Sequence, residues 1–293
     1  MTTPLRRRRI RDGVIAIDLG TARTQISLSH AGMVLDEPTL IAYSVNGDVI
    51  AAGRDAWVAS EVGTARLRMP VRGGVVRDPV GCVHTVRLLL RKAGLTATDG
   101  RDIAVSLPAS ARARDASVLT AVMASATGGR IVPVESTLAA AIGTGIDIGA
   151  DAPHIVCDVG AGVTELAVIA DGHLVSGSAL RMGIRDYDDE PERAVRRVVK
   201  LFRRVLDDLP DPVAGDAVAS ELLLVGGGAS VPELVALLAA AFRMPIHIPD
   251  DPRQAVATGL GRCLTGPALA PTQSRTQVSD GPRRTSLGAT TIC

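Results

Sequence analysis

At 293 residues, with a net charge of +1, 46% hydrophobic residues and only 2% aromatic ones, the chain is long enough for two ordinary domains whose cores must be built from Val, Leu, Ile and Ala. The balanced charge argues against a dedicated nucleic-acid binder. No apolar run is long enough to span a membrane and no secretory leader opens the chain, so a cytoplasmic protein is expected. Cys82, Cys157, Cys263 and Cys293 lack C-x-x-C spacing and the histidines lack ligand spacing, so neither a disulfide framework nor a zinc site is expected.

Residues 1–12 read as a disordered basic arm carrying Arg6, Arg7, Arg8, Arg9 and Arg11. Beside an anionic membrane surface five arginines would supply weak, salt-sensitive attraction, at about 1 kcal/mol each; a solvated tail is the other reading of the same residues. A hairpin follows over about 13–35. Val14-Ile15-Ala16-Ile17 runs into Asp18-Leu19-Gly20-Thr21-Ala22-Arg23-Thr24, then alternates toward Gly32. Two further strand-like runs, 39–45 and 49–52, are joined by Asn46-Gly47, a strong two-residue turn signal. A helix is expected over 80–93, with Val83, Val86, Leu89 and Leu90 on one side. A strand is expected over 103–107, ended by Pro108, and helices over about 111–127 and 136–145.

The frame D-x-G-x-x-x-T then recurs as Asp158-Val159-Gly160-Ala161-Gly162-Val163-Thr164, after the apolar run 154–157 and before Gly172. Glycine lets backbone approach a phosphate, and successive N–H groups in a turn form an anion-binding concavity. An aspartate beside a polyphosphate needs a cation between them, and Mg²⁺ is commonly held by one or two carboxylates, waters and phosphate oxygens. Two such loops facing one another would grip a polyphosphate from both sides; ordinary Asp-Gly hairpins are the bland alternative. Further elements are a helix over 191–209 opening with Pro191, a buried strand over 222–225, helices over 231–242 and 252–264 and a strand over 245–248. Gly226-Gly227-Gly228-Ala229 joins the buried strand to a helix that Ser230 and Glu233 would cap, a place where backbone can meet a nucleotide. From 266 to 293, Pro, Ser, Thr, Gly and Arg dominate, and the tail reads as disordered.

Together these residues resemble the actin and Hsp70 ATPase superfamily, and most closely the MreB/Mbl family of bacterial actins. Asp18 to Thr24 resembles the family's first phosphate loop, Val34-Leu35-Asp36-Glu37-Pro38 the stretch after it, and Asp158 to Glu165 its second phosphate loop. Leu224-Val225-Gly226-Gly227-Gly228-Ala229 resembles the adenosine loop, and Asp250-Asp251-Pro252 with Ala257-Thr258-Gly259-Leu260-Gly261 the closing connection. The resemblance implies an α/β, actin-like two-domain fold, each half an RNase H-like mixed sheet flanked by helices, with a nucleotide cleft between. Residues 13–150 would be the first domain, with 33–75 its small subdomain, and 151–265 the second. ATP or GTP with Mg²⁺ would then contact Asp18, Gly20, Thr21, Ala22, Arg23, Asp158, Gly160, Ala161, Gly162, Thr164, Gly226, Gly227, Gly228 and Ala229, with Asp18 and Asp158 holding the metal through water.

Three departures restrict what the resemblance implies. Only seven residues, 184–190, separate Arg181-Met182-Gly183 from Pro191, where the family inserts a small subdomain. Ser136, in Val134-Glu135-Ser136-Thr137-Leu138, stands at the family's water-orienting Glu. A hydroxyl is no general base near neutral pH, and Glu135, if helical, would point about 100° away. Arg23 replaces the usual Asn; its fork of donors reaches a phosphate or points into solvent. The implied function is an ATP-binding cytoskeletal scaffold in cell shape and cell-wall morphogenesis, with weak or absent hydrolysis. Its partners would be itself or a fuller MreB homologue, the cell-wall synthesis machinery, and the membrane's inner face. The alternatives are a non-polymerising nucleotide-binding adaptor and a small-molecule kinase of the same superfamily.

Overall fold

Strand-forming runs and helix starts divide the chain into two halves built on one plan. The computed structural model describes residues 14–264 except 97, 99 and 110, so the basic arm and the tail expected from sequence lie outside the described residues. The first half runs β1 (Ile15–Leu19), β2 (Arg23–Leu28), β3 (Gly32–Pro38), β4 (Ile41–Tyr43), β5 (Val49–Ala52), α1 (Arg54–Glu61), β6 (Arg66–Arg68), β7 (Val71–Arg72), β8 (Val75–Val76), α2 (Pro79–Lys92), β9 (Asp102–Leu107), α3 (Ala113–Thr127), β10 (Arg130–Glu135) and α4 (Ser136–Thr144). The second runs β11 (His154–Val159), β12 (Thr164–Ala170), β13 (His173–Leu180), α5 (Ile184–Asp189), α6 (Pro191–Asp207), α7 (Asp211–Ala219), β14 (Leu222–Val225), α8 (Pro232–Phe242), β15 (Ile246–His247) and α9 (Ala255–Cys263).

Each half carries a five-stranded sheet, ordered β3-β2-β1-β9-β10 in one and β13-β12-β11-β14-β15 in the other. In both, an antiparallel meander of three strands is extended by two parallel ones. The matching order gives the repeated Asp-Gly frame its structural meaning: each copy is the β1–β2 or β11–β12 turn of an equivalent sheet. Val14, Ala16 and Ala104 from one sheet and Val156, Ile169, Leu223 and Val225 from the other pack on α4 and α9, which lie between the sheets. The outer face of the first sheet is covered by α2 and α3. The outer face of the second is covered by α6 and α8, with the Phe202 and Phe242 rings 4.9 Å apart. Cys82, Cys157 and Cys263 are buried free thiols.

Between β3 and α2 a three-stranded sheet, β5-β4-β6, stands against α1. The start of α1 escapes a sequence reading because its cap comes from a distant strand: Glu37 Oε2 accepts the Arg54 N–H at 2.8 Å. In the second half β13 is followed after three residues by α5, one six-residue helix, and then by α6. The expected Ser230 cap does not form. Residues Gly227–Ser230 tighten into a 3₁₀ turn, so α8 starts at Pro232 with Val231 as its cap and no side-chain cap bond. Ser230 Oγ instead accepts the Arg253 Nε–H at 3.2 Å.

Candidate functional site: a cleft between two Asp-Gly turns

The two turns close in the same way. Gly20 N donates to Arg23 O at 2.9 Å, and Gly160 N to Val163 O at 2.9 Å. With these N–H groups spent within the turns, the donors available to an anion are those of the tips, 21–22 and 161–162. The turns face each other and touch: a Cβ on Gly162 would come within 2.9 Å of Thr21 Cγ2. Between them lies a cavity of about 370 Å³, lined by residues of both halves, including Asp18, Asp158, Ser106, Glu165 and Gly226. The size is that of a small-molecule site.

Its electrostatics are set first by burial of three carboxyl groups and then by their mutual proximity. Burial raises the Asp18 carboxyl above its usual range, against which Ser106 Oγ donates to Asp18 Oδ1 at 2.6 Å. Burial, and then the charge of Asp18, push Asp158 up to about 7. Glu165 is pushed up to about 8 by burial and by Asp158, partly offset by Ala109 N, which donates to its Oε1 at 2.6 Å, and by the neighbouring Ser136. Ala109 belongs to the first half and Glu165 to the second, so this bond crosses the cleft. A divalent cation would relieve the repulsion directly. The donor set fits one: two facing carboxylates, hard oxygen ligands suited to Mg²⁺.

Most residues singled out in the sequence come together here. Asp18, Gly20, Thr21, Ala22, Arg23, Asp158, Gly160, Ala161, Gly162, Gly226, Gly227 and Ser136 line the cavity. Gly226 has φ +81°, and a Cβ on it would sit 2.1 Å from Asp158 Oδ1, so only glycine leaves that carboxyl in place. Arg23 lines the rim, but its Nε and Nη2 are held by Asp36, at 2.5 Å to the carboxylate and 2.9 Å to the backbone carbonyl, so the fork belongs to the β2–β3 pair.

Several expectations need correcting. Thr164 is fully buried behind the turn, donating to Met182 O at 2.9 Å, and does not line the cavity. Its counterpart Thr24 is 2.9 Å from Thr39 Oγ1, which donates to Gly20 O. In both copies, then, the threonine braces the loop. Gly228 and Ala229 lie behind the cavity, where a Cβ on Gly228 would meet Val159 at 2.5 Å; their role is close packing. Glu135 is not helical: it ends β10, paired with Leu107, and caps α4 at φ −63°, ψ 132°. It lies outside the cavity lining, while Ser136, the first residue of α4, is in it. Sequence reasoning missed Ser106 and gave Glu165 no role, although each is a buried polar residue in a largely apolar strand.

Two sheets of one strand order, joined at paired helices and opening on a cleft between equivalent turns, make this an actin-like fold. The solved structures agree: MreB5 of Spiroplasma citri bound to AMPPNP superposes with a TM-score of 0.77 at 20% identity, covering 85% of this chain and 95% of that one. The MamK double helical filament gives 0.70 at 14% identity, over 87% and 99%. More narrowly, the sequence model of the MreB/Mbl proteins matches residues 12–197 and 190–270, and the chain belongs to that family. The cell shape-determining protein Mbl of Bacillus subtilis (strain 168) is 24% identical over 85% of this chain and 95% of its own length. The cell shape-determining protein MreB of Escherichia coli (strain K12) is 23% identical over 85% and 92%. The Mbl alignment extends over 316 positions, more than the 293 residues present here, so the relative carries residues without a counterpart in this chain.

Proposed function

We propose that the chain is an actin-like scaffold protein of cell shape and cell-wall morphogenesis that binds ATP or GTP with Mg²⁺ in the cleft and hydrolyses it slowly or not at all. The observation that carries the reading is the pair Asp18 and Asp158, on equivalent turns of the two halves, lining one cavity. In support, MreB5 of S. citri has been solved with AMPPNP and with ADP, and relatives in the same family are named cell shape-determining proteins. Bound Mg²⁺ would supply the positive charge that lets two carboxylates and a polyphosphate share the cleft. Of the chain's own groups, Asp18 and Asp158 would hold the ion through water, the turn tips would donate backbone N–H groups to phosphate, and Gly226 and Gly227 would admit the nucleoside close to backbone. Ser136 orients water without serving as a base, which is the reason to expect weak turnover. Titration calorimetry with ATP and Mg²⁺ tests the reading: heat from the wild type and none from Asp158→Ala is expected, and no heat from the wild type discards it.

Self-association draws support from the MamK double helical filament. A second reading, an adaptor that joins the filament of a fuller MreB homologue, is favoured by one observation: the short passage from β13 to α6 through a single six-residue helix, with no second-half counterpart of the β4–β6 sheet in the chain between them. The family match divides there too, its segments meeting at 190–197. Sedimentation with and without ATP separates the two. A nucleotide-dependent pellet supports self-assembly, and protein that stays in the supernatant supports the adaptor. Both readings allow attachment to the inner face of the cell membrane and contact with cell-wall synthesis enzymes.

A further inference from the structure

The repeated frame extends one residue further than its threonine. Asp18 pairs with Gln25 across β1 and β2, and Asp158 pairs with Glu165 across β11 and β12. Residues directly opposite in an antiparallel pair share one face of the sheet, with Cβ atoms about 4.5–5.5 Å apart. Gln25 and Glu165 are therefore equivalent residues of the two halves, each beside its aspartate, and both line the cavity. They differ in how they are satisfied. Glu165 is engaged across the cleft by Ala109 N. Gln25 is 3% exposed, and its Oε1 has no hydrogen-bond partner.

Buried amide oxygens are ordinarily paired, and an orphan in a ligand cleft asks what donor it is built to meet. Phosphate oxygens only accept, so a phosphate does not satisfy it. Asp18, when ionised, only accepts as well. A group that serves both must donate twice, and a water does so at full strength when its own lone pair is taken by a cation. Resting on the nucleotide reading above, we propose that Gln25 is an outer-sphere ligand of the Mg²⁺ in this cleft: its amide oxygen accepts one hydrogen of a metal-bound water whose other hydrogen goes to Asp18. The first half thus contributes a carboxylate and an amide to the ion's hydration shell, and the second half the Asp158 carboxylate.

The test measures binding of a fluorescent ATP analogue to the full-length protein while Mg²⁺ is titrated, with a parallel measurement in EDTA. Outer-shell partners of metal sites are typically worth 10–100-fold in metal affinity. Gln25→Leu, which fills the site without an acceptor, is expected to raise the half-saturating Mg²⁺ concentration about tenfold while leaving affinity in EDTA within about twofold. Gln25→Glu keeps the acceptor and is expected to stay close to wild type in its Mg²⁺ requirement. Thermal melting of the ligand-free protein excludes a folding defect, since removing an orphaned acceptor should leave Gln25→Leu at least as stable as wild type. An unchanged Mg²⁺ requirement in Gln25→Leu overturns the proposal. So does an equal loss in Mg²⁺ and EDTA, or a Gln25→Glu variant as impaired as Gln25→Leu, which would make the amide a donor to phosphate. If the wild type binds no nucleotide under either condition, the nucleotide reading itself fails and this inference goes with it.

Discussion

Replacing Gly259 by alanine probes the contact that joins the two halves. The helices α4 and α9 cross backbone to backbone: a Cβ on Gly259 would lie 1.6 Å from Ala139 O, and one on Gly143 1.9 Å from Ala255 O. Side-chain Cβ atoms essentially never approach within 3.0 Å of another atom, so α9 would have to retreat until 1.6 Å became at least 3.0 Å. Ala139, Ala140, Ala141, Ala257 and Leu260 are fully buried along this contact, and the retreat would open voids beside them. Overpacking a core costs about 1–3 kcal/mol, and an obstacle that is backbone cannot rotate aside, which places this case at the upper end. Alanine regains about 1 kcal/mol over glycine inside a helix. A net loss of about 2 kcal/mol is expected. Gly215, exposed within α7 and with nothing within 4 Å of a Cβ built on it, isolates the helix term alone. Gly215→Ala should therefore stabilise by about 0.5–1 kcal/mol. Urea unfolding of the wild type and both variants, compared at a common slope, reads the two opposite signs. A Gly259→Ala protein as stable as wild type, or a Gly215→Ala protein less stable, refutes the packing argument.

The remaining predictions concern the cleft. Glu165 is pushed up to about 8 in the folded protein, against 4.5 for a free glutamate side chain. Between those pH values the unfolded chain ionises this carboxyl while the native protein keeps it protonated, so stability falls as pH rises from about 5 to 8. In Glu165→Gln the fall should shrink by an amount on the order of 2–4 kcal/mol; ligand-free unfolding at pH 5 and pH 8 with an unchanged difference would contradict it. Phosphate release by the wild type should be slow or undetectable, and Ser136→Glu should raise it; brisk wild-type turnover would show that Ser136 is no handicap. Gly226→Ala forces a Cβ onto Asp158 Oδ1 and strains a φ of +81°, so calorimetry should record a loss of Mg-ATP affinity of about tenfold or more, and unchanged affinity would remove Gly226 from the site.

Much of the fold was legible because its signals are local. The runs 154–157 and 222–225 are apolar segments bounded by turn residues; the first is β11, which continues to Val159, and the second is β14. The amphipathic run from Pro191 is α6, which buries Val195, Val198, Phe202 and Val205 and leaves its arginines outside. What was not legible depends on residues far away in sequence or on very short segments. The strands β6, β7 and β8 are two or three residues long and have no periodicity to read. The helix α1 is preceded by Gly53 at its cap position and relies on Glu37, and α7 follows Pro210 through Pro212 and Gly215, residues that favour a loop reading.

The two aspartates of the frame D-x-G-x-x-x-T line the cavity while Thr164 lies behind it, and the pleat explains both placements. Leu19 pairs with Thr24 and Val159 with Thr164, while Asp18 pairs with Gln25 and Asp158 with Glu165. Neighbouring positions on a strand point to opposite faces, so an aspartate in the cleft puts the following pair in the core behind the turn. The threonine hydroxyls are accordingly spent on Thr39 and on Met182 O. The polar residue that shares the cleft with each aspartate is the one after the threonine. A glutamine at the third position of β2 and a glutamate at the second position of β12 are costly to bury, and that cost was the available signal. Once the strands are paired, the duplication predicts four polar groups around one cavity, where the sequence motif alone had named two.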